Sequence, residues 1–326
     1  MQPQWMRAGA APVMPRREFL AAAAGLAAAA PFAGHATEAA PGRARQIIDT
    51  HTHFYDPTRP QGVPWPDKTD RLLYRRVLPA DYRRLAAPEG VTGTVVVEAS
   101  AWVEDNQWVL DLAAQEPFLV GLVGRLEPGR PEFKSQLDRF ARNPRFRGIR
   151  VWHEKFQPGL TQPEFMADLK RLADKDLALD VNGGPEMLPA VAQLAAALPA
   201  LRLVINHVAN LRIDGKTPCA TWTGGMQAVA KHPNVHCKVS GLVEGSGRTD
   251  GTAPRQVAFY EPVLDVLWRT FGPERLIYGS NWPVSERFAS YATVQAIVTD
   301  FFRHKGAVAM EQFFWRNAQK VYKYPA

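Results

Sequence analysis

From residue 46 onward, short continuous apolar runs alternate with segments in which apolar side chains recur every three or four positions. The continuous runs read as strands and the spaced segments as helices. Strands are predicted at the step from Ile47-Ile48 into residues 49–53, and at 94–99, 119–123, 148–152, 177–181, 201–206, 235–239 and 276–278. Helices are predicted at 80–87, 105–115, 133–142, 163–175, 187–198, 225–231, 256–270, 291–304 and 310–322. The helix over 163–175 carries Phe165, Leu169 and Leu172 on one face. Strands this apolar are buried on both faces, which is the condition of a parallel sheet covered by helices. Eight strands alternating with helices in a chain of this length predict a single-domain (β/α)₈ TIM barrel over a doubly wound open sheet. Residues 54–78, with Pro57, Pro60, Pro64, Trp65, Pro66 and Tyr74 and no clear period, predict an ordered lid.

In such a barrel the chemistry sits at the C-terminal ends of the strands, so its candidates can be read in order. The first strand ends in Asp49-Thr50-His51-Thr52-His53, where alternation places His51 and His53 on one face with Asp49 below. Two imidazoles there could hold a metal ion or an anionic substrate, or be an ordinary satisfied pair. Later strand ends carry Glu98 and Ser100, then Arg150 with Trp152, His153 and Glu154, then Asp180 and Asn182. Asn206 and His207 follow, then His236, Lys238 and Ser240 on one face, then Ser280, Asn281 and Trp282. No strand is followed by a glycine-rich phosphate loop, since Val181-Asn182-Gly183-Gly184 lacks the remaining glycine spacing.

The first 40 residues are set apart from the barrel predicted over 41–326. Pro15-Arg16-Arg17-Glu18-Phe19-Leu20 and the alanine-rich run to Ala30 resemble a twin-arginine export signal, too short to span a membrane, with cleavage expected between Ala30 and Ala40. The expected location is the periplasm, reached through the twin-arginine export machinery, with no membrane anchor after removal of the leader. The net charge of +7 includes a net +2 from Arg7, Arg16, Arg17 and Glu18 in residues 1–36, and the rest is spread along the chain. That spread argues against a nucleic-acid partner and leaves a small molecule. Cys219 and Cys237 are expected to be unpaired and buried.

Asp49-Thr-His-Thr-His53-Phe-Tyr-Asp, Gly148-Ile-Arg150, Asn206-His207, Lys238-Val-Ser-Gly241-Leu and Tyr278-Gly-Ser-Asn-Trp-Pro-Val284 resemble the amidohydrolase-related branch of the amidohydrolase superfamily. The similarity is greatest to sugar-lactone and dicarboxylate-lactone hydrolases. It implies a barrel that hydrolyses lactone or amide bonds, with one divalent metal in some members and none in others. By that resemblance His51, His53 and His207 match metal ligands, with zinc as the expected ion, and His207, Arg150 and Asn281 occupy catalytic positions. Arg150, Lys238, Trp65 and Trp282 are expected to contact substrate. Three neutral imidazoles would hold zinc at about 2.0–2.1 Å and leave a position for water.

The chain departs from the family where Gly-Ser-Asp-Trp-Pro becomes Gly279-Ser280-Asn281-Trp282-Pro283. An amide can orient a water but cannot take its proton. Glu98, Asp180, Glu154 or a ligand-free histidine would then act as base. Three readings remain open: an exported hydrolase of a small lactone, a decarboxylase of a small unsaturated acid, and a catalytically silent barrel that binds a sugar acid.

Overall fold

The computed structural model describes residues 46–325. The leader over 1–40, with its paired arginines, lies outside them. Eight parallel strands form one sheet in chain order: β1 (Ile48–Thr52), β2 (Gly93–Val97), β3 (Leu119–Gly124), β4 (Phe146–Trp152), β5 (Ala178–Asn182), β6 (Arg202–Ile205), β7 (Val235–Val239) and β8 (Leu276–Tyr278). The segment after β8 closes the barrel onto β1. Asn281 N donates to His51 O and His53 N donates to Trp282 O, both at 2.9 Å. The expected (β/α)₈ barrel is therefore the observed fold.

The period of two along each strand sorts its side chains between two layers. Val95, Val97, Val123, Ala178, Val204 and Ile277 pack together inside the barrel with Ile48 and, from the last helix, Val321 and Tyr322. Their neighbours Val96, Leu122, Ile149, Leu179, Ile205, Cys237 and Leu276 join the larger core beneath the helices.

The inner layer also holds charge. Lys238 and Asp180 are fully buried and paired at 2.9 Å. Asp180 accepts from the Tyr322 hydroxyl at 2.9 and 3.0 Å and from Asn206 Nδ2 at 3.1 Å. Lys238 Nζ also donates to Thr50 O at 2.8 Å. A buried ion pair persists only when its remaining lone pairs and protons are taken up, and here they are.

Helix ends depart from the sequence reading for local reasons. The helix predicted at 225–231 runs Ala220–Ala230, because Gly224 and Gly225 break the apolar period of its first half. The helix predicted from 256 begins at Glu261, with Pro262 in its first turn and a short 3₁₀ turn before it. The last helix is interrupted by a π segment over Gln312–Arg316. A short helix, His153–Gly159, was not anticipated; its interior Pro158 masks it in the sequence. Both cysteines are free as expected, but Cys219 is exposed and only Cys237 is buried. Cys219 precedes a helix rather than lying in a strand, so no packing face covers it. No helix among the described residues is long and apolar enough to cross a membrane.

Asp180→Ala strands the Lys238 ammonium in an apolar interior. The expected loss of unfolding free energy is about 3–5 kcal/mol, measured by denaturant titration. A loss below about 1 kcal/mol would refute the central role given to this pair.

Candidate active site

The positions of the first two histidines depend on an irregularity in β1. Asp49 pairs with Thr94 and Thr52 with Val96, so three steps on β1 face two on β2. Such a bulge re-aims side chains. Asp49 therefore does not sit below the histidines. Its carboxylate turns to the outer layer, accepting from the hydroxyls of Tyr82 at 2.8 Å and Tyr291 at 3.3 Å and from Ser280 N at 2.9 Å. His51 and His53 remain together at the barrel mouth, with ring centroids 5.0 Å apart.

His207 reaches them from the end of β6, its ring centroid 4.3 Å from that of His51. It starts a run of left-handed backbone, with φ of 50°, 48°, 58° and 45° over His207, Val208, Ala209 and Asn210. Each such residue costs about 1–2 kcal/mol, and a β-branched valine is poorly suited to it. The strain is held in place by its surroundings. Trp222 Nε1 donates to Val208 O at 2.9 Å, and Asn210 Nδ2 donates to Asn182 Oδ1 at 3.2 Å and Gly183 O at 3.1 Å. Gly241, at φ 68°, closes against the His207 side chain, where an added Cβ would stand 2.7 Å from the histidine's own.

Burial is the first cause that depresses the basicity of all three rings. For His51 the charges of His207 and Lys238 add to it, for His207 those of Arg150 and Lys238, and for His53 that of Arg150, which brings it to about 3. All three are therefore neutral at ordinary pH.

Their Nδ1 atoms are already committed. His51 Nδ1 lies 3.3 Å from Lys238 Nζ, which Asp180 holds as an ammonium, so Nδ1 accepts and Nε2 keeps the proton. That Nε2 is buried without a partner. His53 Nδ1 faces Val97 O at 3.0 Å and its Nε2 faces Asn281 Oδ1 at 3.2 Å, and a neutral ring can donate to only one of these two acceptors. His207 Nδ1 meets Ser240 Oγ at 2.8 Å. Among the described residues no three His, Cys, Asp or Glu side chains are gathered to hold a metal ion. The rings of His51, His53 and His207 thus meet as expected, but not as the expected zinc sphere. With its proton on Nε2, His51 is the wrong tautomer to ligate an ion there.

Beside them opens a cavity of about 600 Å³, bordered by His53, Trp65, Glu98, Arg150, His207, Glu244, Asn281 and Arg287 among others. This size suits a small organic ligand. Arg150 is clamped by Glu98, donating through Nε to Oε1 at 2.9 Å and through Nη2 to the Glu98 carbonyl at 2.8 Å. Among the described residues its Nη1 has no protein partner.

Two of the expected substrate contacts do not reach the cavity. Lys238 is sealed beneath His51, and Trp282 is 1% exposed, packed on Phe54 and Tyr82 with Nε1 donating to Glu286 Oε1 at 2.6 Å. Trp65 and Arg150 do line it. Of the candidate bases, Asp180 is saturated by its partners and Glu98 is bound to Arg150. Glu154 is largely exposed and borders a separate cavity.

Glu244, which the sequence reading passed over, lies in the cavity wall. Its Oε1 accepts from Asn281 Nδ2 at 2.9 Å, while Oε2 is buried with no partner. Burial raises its pKa to about 7, opposed by the Asn281 hydrogen bond. Its place in the short helix Leu242–Gly245 after β7, four residues beyond Ser240, was the available signal. Asn281 in turn has Oδ1 3.2 Å from His53 Nε2, so its amide lies between Glu244 and the histidines.

The amidohydrolase family model matches residues 48–324. An L-fucono-1,5-lactonase of Burkholderia ambifaria is 34% identical over 241 residues, covering 73% of this chain and 80% of that protein. An L-fucono-1,5-lactonase of Burkholderia multivorans is 27% identical, covering 85% and 96%. A Burkholderia multivorans amidohydrolase solved with bound zinc superposes with a TM-score of 0.77 at 26% identity, covering 86% of this chain and all of that one. In fold, in the order of its motifs and in sequence, this chain belongs to the amidohydrolase family.

Proposed function

We propose that the protein is a hydrolase of small sugar-acid lactones. The observation that carries this reading is Arg150. It is a buried guanidinium with one unbonded nitrogen, fixed at the wall of a cavity large enough for a sugar ring and beside three neutral imidazoles. The two L-fucono-1,5-lactonases support the substrate class. Water attacks the ring carbonyl, and Arg150 meets the negative charge that develops on its oxygen without having to reorganise. Trp65 adds an apolar wall on which the ring can rest. Zinc, with which the Burkholderia multivorans relative was solved, would polarise the same carbonyl if bound at the histidines. The donor arrangement described above does not fit it, and no step here passes through it.

Location belongs to the same proposal. The leader's Arg16 and Arg17 support export by the twin-arginine route to the periplasm. An export receptor that reads paired guanidinium groups distinguishes them from lysine. Replacing both with lysine should therefore leave the protein in the cytoplasm, and unchanged periplasmic yield on fractionation would refute this route.

A panel of aldonolactones, followed by titration of the acid released, tests the activity. Opening of at least one five- or six-membered sugar lactone is expected, and a silent panel would sink the reading. Arg150→Lys keeps the charge but loses the planar fork. It should lower kcat/KM by about 10²–10³-fold.

A further inference from the structure

We propose that Glu244 is the proton carrier of the reaction, taking the role that an aspartate at position 281 would otherwise fill. The inference rests on the lactonase reading and names the base it lacks. Asn281 has no ionisable group, yet it fixes one. Its Nδ2 donates to Glu244 Oε1 at 2.9 Å and leaves Oε2 buried without a partner, on a side chain that borders the same cavity as His53, His207 and Arg150. A buried carboxylate oxygen without a partner is costly unless something else engages it. A water positioned for attack on a bound lactone is suited to do so.

The cycle balances in protons and bonds. Glu244 Oε2 takes a proton from water as its oxygen bonds to the lactone carbonyl carbon. The tetrahedral intermediate then collapses, the ring C–O bond breaks, and the departing alkoxide takes the proton back from Glu244. One water and one lactone give one hydroxy acid, and Glu244 returns to its carboxylate. Arg150 cannot serve as the base because it stays protonated, and Glu98 is held in its grip.

The surroundings are consistent with a carboxyl that ionises late. Facing it are the Tyr260 phenol, whose proton Glu244's charge helps to retain, and His53 across the Asn281 amide. His207, Arg150 and Arg287 border the same cavity. Arg150 is engaged by Glu98 and Arg287 by Asp70, so among the described residues no cation pairs with Glu244. Burial without a compensating cation keeps its pKa near 7, where a proton is both accepted and released readily.

The test is a pH profile of kcat/KM and kcat for wild type, Glu244→Gln and Asn281→Asp on a lactone the wild type opens, with a thermal melt of each. In wild type the rate should be lost as pH falls through about 7, because protonated Glu244 cannot accept. Glu244→Gln should lose about 10²–10⁴-fold in kcat, with KM little changed and the acidic limb gone. Asn281→Asp sets a second carboxyl against the first, and two carboxyls sharing a site cannot both ionise readily. Its acidic limb should therefore move to higher pH. Turnover by wild type with Glu244→Gln folded and within about threefold of it overturns the proposal while leaving the lactonase reading standing. Wild-type failure on every lactone overturns both. If Glu244→Gln does not fold, the direction in which the Asn281→Asp limb moves decides, and an unmoved limb overturns the proposal.

Discussion

The buried pair of Lys238 and Asp180 is the constraint on which the active site depends. It lies at the level where the barrel interior passes from apolar to polar, and each of its remaining hydrogen-bonding positions connects to a functional element. Through Thr50 O and His51 Nδ1 it sets the first strand. Through Asn206 it sets the residue before His207. The pair therefore does more than offset its own desolvation. By donating to His51 it determines which ring nitrogen carries the proton, and so whether that histidine meets a ligand as a donor or as a lone pair.

A second source of order is strain. Four consecutive left-handed residues present His207, and they persist because Trp222, Asn182 and Gly241 over-determine them. Catalytic geometry has here been placed on the least favourable backbone of the described chain. The aromatic and amide groups around that turn absorb the cost, and the histidine is left with little freedom to swing.

The barrel was legible in the sequence because parallel strands buried on both faces leave uninterrupted apolar runs, and eight of them recur in register with helices. His51, His53, Arg150, His207 and Trp65 were legible because strand ends in this fold are where polar side chains gather. What could not be read was direction. The bulge that parts Asp49 from His51 shifts the alternation by one residue, and no residue type announces it. Lys238 and Trp282 stand at strand ends yet point into packing, because pairing with Asp180 in one case and a nest of aromatic rings in the other was the better use of them. Glu244 was missed for the opposite reason. It sits in the short helix Leu242–Gly245 beyond the strand end, and that this turn returns it to Asn281 shows only in the folded chain.

The Tyr322 hydroxyl, bonded to both oxygens of Asp180, gives the chain an order of assembly. Asp180 is made early and Lys238 soon after, but the phenol that covers them arrives 142 residues beyond Asp180. The buried pair therefore lacks its last hydrogen-bond donor until the final helix is in place.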